Sequence, residues 1–177
     1  YVNCGSDSVL DNFFDGGGTF CAWIKPESGG ENNQARIFDK RDASDGVVLH
    51  FDDESGSTCK LKLFRNYSST NGQYLTTNRD ITYGDWCYVV ITYDISGSGS
   101  SYRPTFYING VSVAVTNDAD SAGSYNSDAS EPLILGNTES TSRTFDGKFA
   151  IVHIYNRILT AAEVAQNYRT LKGRFGK

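Results

Sequence analysis

The sequence predicts an all-β protein, built as an antiparallel sandwich or barrel, with one short helix near the C-terminus. The 177 residues include 11 Tyr and 10 Phe, and aromatic residues of this kind are enriched in strands. Short apolar segments, of about five to nine residues, are separated by turn signals at regular intervals, and no β-α-β alternation interrupts them. A chain of this length can bury a core of its own, so we expect residues 1–177 to form one domain.

Four predicted strands lie in the first third of the chain. Residues 59–64 alternate strictly, with Leu61 and Leu63 on one face and Lys60 and Lys62 on the other. This alternation indicates a sheet with one solvated face. The other predicted strands of this part are 19–25, 35–40 and 46–51.

The most hydrophobic run, residues 86–94, is predicted to be a central strand. Asn109 and Gly110 stand between two strand patterns and predict a hairpin with a type I′ turn. Asn71 and Gly72 predict a second turn of the hairpin type within a polar segment. Residues 117–131 are predicted to be a loop from their composition, and the remaining predicted strands are 132–136 and 145–156.

One short helix is predicted at about residues 160–168. Thr160 and Glu163 have the spacing of a capping box, and the helix-favouring sequence AAEVAQNY follows. Val164, Tyr168 and the preceding Ile158 form one apolar stripe. A helix this short is not stable alone, so we expect it to cover one end of the core as a lid, followed by a basic tail at 169–177.

Charge and composition exclude several kinds of partner. The formal net charge is −5, which argues against nucleic acid, and no apolar run reaches the roughly 20 residues that a membrane span requires. The basic residues of the tail suit a solvated C-terminus or a docking strip for an acidic partner. Four cysteines without a C-x-x-C motif disfavour zinc, and the sequence leaves open whether they are buried thiols or disulfides.

Several segments resemble one family in order and over nearly the whole chain. They are YVNCGSDSVL, FCAWIKP, ARIFDKRD, DWCYVVITYD, FYINGVSVA, PLILGN and FDGKFAIVHIYNRILTAAEVAQNY. Together they resemble the laminin-G-like, pentraxin-like branch of the concanavalin A-like jelly rolls, which implies a two-sheet jelly-roll sandwich. The family begins with a strand upstream of Tyr1, so we expect that strand to be absent or truncated here. The ending, NY followed by KGRFG, is similar to lectin-like modules of bacteriophage virion proteins.

The sequence does not predict an enzyme. The jelly-roll fold also houses glucanases, which need two carboxyl groups facing one sugar bond, but no E-x-D-x-x-E motif is present. No G-x-S-x-G nucleophile motif or phosphate-binding loop occurs either. His50 and His153 lie inside strand patterns, where a histidine is more often a packed or surface residue than a base.

Calcium is the one cofactor that the acidic loops suggest. Ca²⁺ prefers carboxylate and carbonyl oxygens, and many relatives hold Ca²⁺ at the rim of the sandwich. The last strand of the family carries two acidic residues that residues 149–156 lack, so the sequence leaves Ca²⁺ binding open. The candidate ligands in this sequence are Asp42, Asp45, Asp53, Asn137 and Asp146.

Loop tyrosines are the candidates for sugar binding, because an aromatic ring can lie flat against a sugar while amides fix its hydroxyls. The candidates are Tyr67, Tyr74, Tyr102, Tyr125 and Asn126. The leading hypothesis is therefore a lectin-like module that binds glycan or another surface ligand through its rim loops. The alternative is a structural decoration, fibre or adhesion domain of a virion or extracellular assembly, as a homo-oligomer or larger assembly with protein partners. Either role predicts an extracellular or virion-surface location.

Overall fold

Two antiparallel β-sheets stacked face to face form the body of the protein, as the sequence predicted. The computed structural model describes residues 1–177. The strands are β1 Val2–Asn3, β2 Gly18–Pro26, β3 Arg36–Arg41, β4 Gly46–Ser55, β5 Thr58–Arg65, β6 Gly72–Thr76, β7 Ile81–Thr82, β8 Cys87–Tyr93, β9 Thr105–Ile108, β10 Val111–Val113, β11 Val115–Ala119, β12 Ile134–Leu135 and β13 Gly147–Tyr155. The first sheet has eight strands in the order β1-β12-β3-β4-β5-β6-β11, with β7 also paired to β5. The second sheet has five strands in the order β10-β9-β8-β2-β13.

One α-helix, α1, spans Ala161–Leu171 and is followed by a 3₁₀ turn at Lys172–Phe175. The predicted capping box is confirmed, because the Thr160 hydroxyl accepts a hydrogen bond from the Glu163 amide while the Glu163 carboxylate accepts one from the Thr160 amide. The remaining 3₁₀ turns are Ser8–Leu10, Glu31–Asn33 and Ser100–Tyr102.

The main hydrophobic core lies between the two sheets. Alternate residues of β2, namely Phe20, Ala22 and Ile24, point into it, and every one of them is fully buried. Strand β5 contributes Leu61 and Leu63, while its lysines keep partial exposure, as the alternation predicted. Because successive side chains of a strand point to opposite faces of the sheet, one face is buried in the core while the other stays partly exposed.

The helix covers the outer face of the five-stranded sheet, so the prediction that it caps one end of the core is wrong. Val164 and Tyr168 pack with Trp23 and Tyr88, which point outward from β2 and β8. The predicted basic tail is also structured, because the Phe175 ring stacks on Trp23 with ring centroids 4.1 Å apart. Both faces of β8 are thus buried, which explains why its sequence is hydrophobic throughout rather than alternating.

Of the two turns predicted from Asn-Gly pairs, one is confirmed and the other is wrong. Asn109 and Gly110 both have positive φ and join β9 to β10, as a type I′ turn requires. The turn expected at Asn71 and Gly72 is absent, because Gly72 is already the first residue of β6. The predicted loop 117–131 also begins inside a strand, since β11 runs to Ala119 and pairs with β6.

A buried charge cluster holds the end of that loop against the first sheet. The Asp128 carboxylate is fully buried and bonds the Arg65 guanidinium, while its second oxygen lies 3.3 Å from Lys40 Nζ. Lys40 Nζ also donates to the carbonyls of Asp128 and Glu131, both at 2.6 Å. These bonds satisfy the buried charges and pin the segment between Tyr125 and Glu131.

The four cysteines are free thiols in this structure, and only Cys4 is exposed. Burial raises the pKa of Cys21 to about 11, which keeps that thiol protonated. No helix of the protein is both long enough and apolar enough to cross a membrane.

Candidate ligand-binding sites

Two of the predicted sugar-binding tyrosines are buried, so their assignment as loop platforms is wrong. Tyr74 lies in β6 with no exposed surface, and its hydroxyl bonds Ser121 Oγ at 3.2 Å. Tyr67 is also buried, with its hydroxyl 3.2 Å from that of Tyr93. Neither ring can stack on a ligand, because both faces are occupied by the protein core.

Tyr125 and Asn126 lie at the surface but are engaged with the protein. The Tyr125 hydroxyl donates to Asp15 at 3.1 Å, and the Arg65 guanidinium lies 5.2 Å from its ring centroid. The Asn126 side-chain amide donates to the Ser44 carbonyl at 3.0 Å. Both side chains therefore hold the 125–131 segment in place, whatever further role they have.

Tyr102 is the predicted tyrosine that presents an accessible ring. Its exposed fraction is 37%, and it ends a short 3₁₀ turn above the outer face of the five-stranded sheet. The ring lies directly against the backbone of Gly97, where a Cβ would stand 2.3 Å from ring carbon Cζ. Only glycine at residue 97 permits this approach, so the local sequence positions the ring.

The Tyr102 ring borders a depression of about 430 Å³, which we call the tyrosine groove. Six residues that matter to its chemistry are Thr92, Asp94, Tyr102, Thr105, Tyr107 and Thr160. They come from β8 and the residue after it, from β9, from the 3₁₀ turn and from the residue before α1, which the fold brings together on the outer face of the sheet. An open depression of this size, with aromatic and polar walls, has the dimensions of a small-ligand site.

The polar groups of the tyrosine groove are largely free of internal partners. Asp94 accepts a hydrogen bond from the Ser96 amide through one oxygen, at 2.9 Å, and its second oxygen has no partner in the protein. Arg103, at the same wall, is already committed to Asp120 through two bonds of 2.6 Å. A ligand in the groove would therefore meet a carboxylate oxygen and hydroxyl groups rather than a free cation.

Four of the five predicted calcium ligands use their side chains in local contacts, whereas Asp45 takes part in its turn through its backbone only. Asp42 Oδ1 accepts the amides of Ser44 and Asp45 at 2.7 and 2.8 Å, which closes the turn between β3 and β4. Asp53 binds two cations, with Lys60 Nζ at 2.8 Å and Arg79 at 2.6 Å.

Asn137 and Asp146 are engaged in the same way. The Asn137 side chain is buried and bonds Thr144 Oγ1 at 3.0 Å, while Asp146 accepts from the Ser28 hydroxyl at 2.8 Å. No group of three or more His, Cys, Asp or Glu side chains converges to hold a metal ion. Ca²⁺ binding by these residues stays a prediction.

The structure brings two of the acidic loops together around arginines that sequence reasoning missed. The turn after β3 meets the 138–143 loop in a depression of about 340 Å³, which we call the arginine pocket. Its charged residues are Arg36, Asp39, Arg41, Asp42, Glu139 and Arg143. The sequence RIFDKRD at residues 36–42 could have indicated a cluster of charged residues on β3. Nothing in the sequence, however, places Arg143 beside that strand.

Burial perturbs the charges at the base of the arginine pocket. The pKa of Asp39 is raised to about 6 by burial, an effect that the nearby Arg36 and Arg41 oppose. The pKa of Arg36 is lowered to about 10, chiefly by burial, and the charges of Arg41 and Arg143 add to this lowering. Arg41 and Arg143 therefore each repel the charge of Arg36.

His50 is buried in β4 and is neutral at physiological pH. Burial is the main cause that lowers its pKa to about 3. Its Nδ1 lies 2.7 Å from the Phe51 carbonyl, and because a carbonyl can only accept, Nδ1 carries the proton. Both histidines fit the predicted packed or surface role, because His50 is buried and His153 is exposed on β13.

Comparisons with known proteins agree with the two-sheet architecture. The laminin G family model described as "Concanavalin A-like lectin/glucanases superfamily" matches residues 1–165. No curated protein matches the chain at the level of sequence. Among solved structures, the chain is similar to a heptameric SAP-like pentraxin from Limulus polyphemus, with a TM-score of 0.60 and 18% identity over 84% of this chain and 68% of that chain.

Two further similar structures come from larger proteins. A putative carbohydrate binding protein from Bacteroides ovatus has a TM-score of 0.58 and 19% identity over 85% of this chain and 40% of that chain. Botulinum neurotoxin type C, in a structure concerned with its interaction with two ganglioside molecules, has a TM-score of 0.57 and 13% identity over 88% of this chain and 36% of that chain. The chain thus spans less than half the length of these two proteins, and the likeness shows the fold alone.

Proposed function

The chain belongs to the laminin G family of the concanavalin A-like lectin/glucanases superfamily, and from this premise we propose that it is a non-catalytic, lectin-like module that binds glycan in the tyrosine groove. The observation that carries the proposal is the accessible Tyr102 ring, held against Gly97 at the wall of the groove. An aromatic face supplies apolar contact to the C–H face of a sugar, and adjacent oxygens orient the sugar hydroxyls.

The polar residues beside Tyr102 support this assignment. The partner-free oxygen of Asp94 can accept hydrogen bonds from sugar hydroxyls, and the Thr92 and Thr105 hydroxyls border the same groove. All three stand on or next to the rigid strands β8 and β9, which fixes their spacing before a ligand arrives. Preorganisation of this kind lowers the entropic cost of binding.

The relatives' ligands agree with a surface ligand of this class. The similar structures include a putative carbohydrate binding protein and a neurotoxin that interacts with gangliosides. Binding of such ligands supports an extracellular or virion-surface location for this chain as part of the proposal.

The proposal that the module is non-catalytic depends on how the carboxyl groups beside its depressions are buried, paired and oriented. Asp39 is the acid with a raised pKa in a depression, but its carboxylate is only 6% exposed and pairs with Arg36 Nε at 3.2 Å. Hydrolysis of a glycosidic bond needs a second carboxyl group that faces the first across the substrate. Asp42 instead turns one oxygen toward the amides of its own turn.

A glycan array tests the proposal. We expect Tyr102→Ala to weaken binding of the best neutral glycan about tenfold, and Tyr102→Phe to retain most of it, because the ring supplies the contact. Tyr1→Ala serves as the matched control, since Tyr1 is exposed and distant from the groove. Binding that is equal in wild type and Tyr102→Ala would overturn the proposal.

The same array, repeated with EDTA, tests the proposed Ca²⁺. Loss of all binding after chelation and its recovery with added Ca²⁺ would support a calcium-dependent lectin. Unchanged binding would count against Ca²⁺ while leaving the tyrosine groove as the site.

A structural role in an assembly is the second candidate function, favoured by exposed apolar side chains on edge strands. Val2 on β1 and Val111 on β10 are 57% and 67% exposed, and each lies on a strand that pairs on one side only. Such edges can add a strand from another protein. A blank array together with a defined oligomer by light scattering would favour this role.

A further inference from the structure

The arginine pocket is lined by three arginines and three carboxylates, but only one arginine and one carboxylate among them form an ion pair. Arg36 is paired with Asp39 through a bond of 3.2 Å, and both side chains are buried. Arg41 and Arg143 take part in none of the protein's ion pairs. Two guanidinium groups thus remain without a carboxylate partner at one depression.

Contacts within the protein orient Arg41 and Arg143 but do not occupy all of their guanidinium N–H donors. The Arg41 guanidinium lies over the Phe64 ring, 4.9 Å from its centroid, and makes no hydrogen bond within the protein. Arg143 donates from Nε to Gln34 at 3.3 Å and from one terminal nitrogen to the Ser142 carbonyl at 2.7 Å. Its second terminal nitrogen stays free, so each arginine keeps at least one NH₂ group for a ligand.

A cluster of hydroxyl groups completes the wall of the pocket. The hydroxyls of Thr138, Ser140 and Ser142 lie within 2.9–3.3 Å of one another, and the Ser142 amide bonds Thr138 Oγ1 at 3.1 Å. The amide of Arg143 is fixed separately, by Asn137 Oδ1 at 3.0 Å. These hydrogen bonds hold the loop in a defined conformation.

The acidic residues at the rim limit which anions can bind. Glu139 and Asp42 are exposed and take part in none of the protein's ion pairs. They repel long polyanions, as does the net charge of −5. A small ligand with one negative group can instead reach the arginines while keeping its remaining atoms away from these carboxylates.

We propose that the arginine pocket is a second ligand site that binds the single carboxylate group of a small acidic saccharide through Arg41 and Arg143. A guanidinium can bind a carboxylate through two parallel N–H bonds, which fixes the orientation of this group as well as neutralising its charge. The hydroxyl cluster of the 138–142 loop then faces the sugar hydroxyls. The saccharide part rests on the proposed function, whereas the carboxylate part does not.

Isothermal titration with two matched sugars tests the inference. Methyl glucuronide and methyl glucoside differ only in a carboxylate against a hydroxymethyl group. We expect the glucuronide to bind at least about tenfold more tightly than the glucoside. Arg41→Gln and Arg143→Gln should each reduce this preference, and the double variant should abolish it.

Control variants separate loss of the site from loss of folding. Arg169→Gln removes an exposed arginine of the helix, away from the pocket, and should leave the preference unchanged. Glu139→Gln removes a repulsive charge at the rim and should tighten glucuronide binding. Because Arg41 makes no hydrogen bond within the protein, Arg41→Gln tests the site even if Arg143→Gln disturbs the loop.

The outcomes distinguish this inference from the proposed function. Equal affinity for glucuronide and glucoside, or a preference that survives in the double variant, would overturn it. The preference should persist in Tyr102→Ala, which removes only the tyrosine groove. If acetate binds in an arginine-dependent manner while no sugar binds, the carboxylate part stands and the glycan function fails.

Discussion

Asp128→Asn should be one of the most destabilising single substitutions in this protein. The carboxylate is fully buried and faces two buried cations, Lys40 and Arg65, and it also accepts the Asn12 amide at 2.7 Å. Neutralising it leaves two positive charges in the interior with Asp11 as the remaining nearby anion, 3.7 Å from Lys40. Breaking a buried ion pair from one side costs about 3–5 kcal/mol, because the unpaired charge cannot regain its hydration.

The assay is urea denaturation at neutral pH, followed by fluorescence, with Asp53→Asn as the matched control. Asp53 also lies between a lysine and an arginine, at 2.8 and 2.6 Å, but its side chain is 40% exposed. Water screens exposed pairs, so the control should lose much less stability than Asp128→Asn. Asparagine also tolerates the positive φ of 46° at this position.

The comparison isolates burial as the cause, since the charge change is the same in both variants. Amide exchange should also become faster in the 125–131 segment of Asp128→Asn, because that segment is held by the cluster. A loss below about 1 kcal/mol for Asp128→Asn, or an equal loss for the two variants, would refute the reasoning that the buried charges depend on this carboxylate.

Three further predictions follow from the packing and the charges. Phe175→Ala should shift tryptophan emission to longer wavelength, because it uncovers Trp23, and an unchanged spectrum would show that the C-terminal turn does not shield that ring. The contribution of His50 to stability should fall as pH drops from about 6.5 towards 3, because unfolded His50 binds a proton that the folded residue, with its pKa of about 3, does not bind, while Asp39, with its pKa raised to about 6, acts in the opposite direction. Over this range His50→Gln should therefore lose less stability than the wild type, and equal pH dependence of the two proteins would contradict this assignment. Thr160→Ala should lower the free energy of unfolding by about 1 kcal/mol through loss of the hydrogen bond to the Glu163 amide, and no change in the urea midpoint would argue that the cap is redundant.

Local patterns were sufficient to predict most of the long strands, one hairpin and the start of the helix, although β6 was missed. The alternation of Leu61 and Leu63 with lysines indicates a half-buried strand, and Asn109-Gly110 and the Thr160–Glu163 pair define a turn and a cap within a few residues. These features depend on backbone geometry and near neighbours in the chain, so their signals are complete within short windows.

Burial of individual side chains could not be predicted in the same way. Tyr67 and Tyr74 occupy polar sequence typical of loops, yet both are buried, because β6 pairs with β5 and β11 and the 66–71 connection folds under the 121–126 segment. The helix illustrates the same limit, since its apolar stripe was predicted but its location on the outer face was not. That location depends on Trp23 and Tyr88, which are distant in the chain.

By itself the sequence determined the all-β class, the capped helix and the absence of a motif for catalysis, since each is encoded in residue type and short spacing. Only the tertiary structure decided which tyrosine is accessible and that Arg36, Arg41 and Arg143 share one pocket. The physical reason is that a binding site is a set of side chains brought together by strand pairing and sheet stacking, and the spacing of residues along the chain does not specify which distant segments will meet.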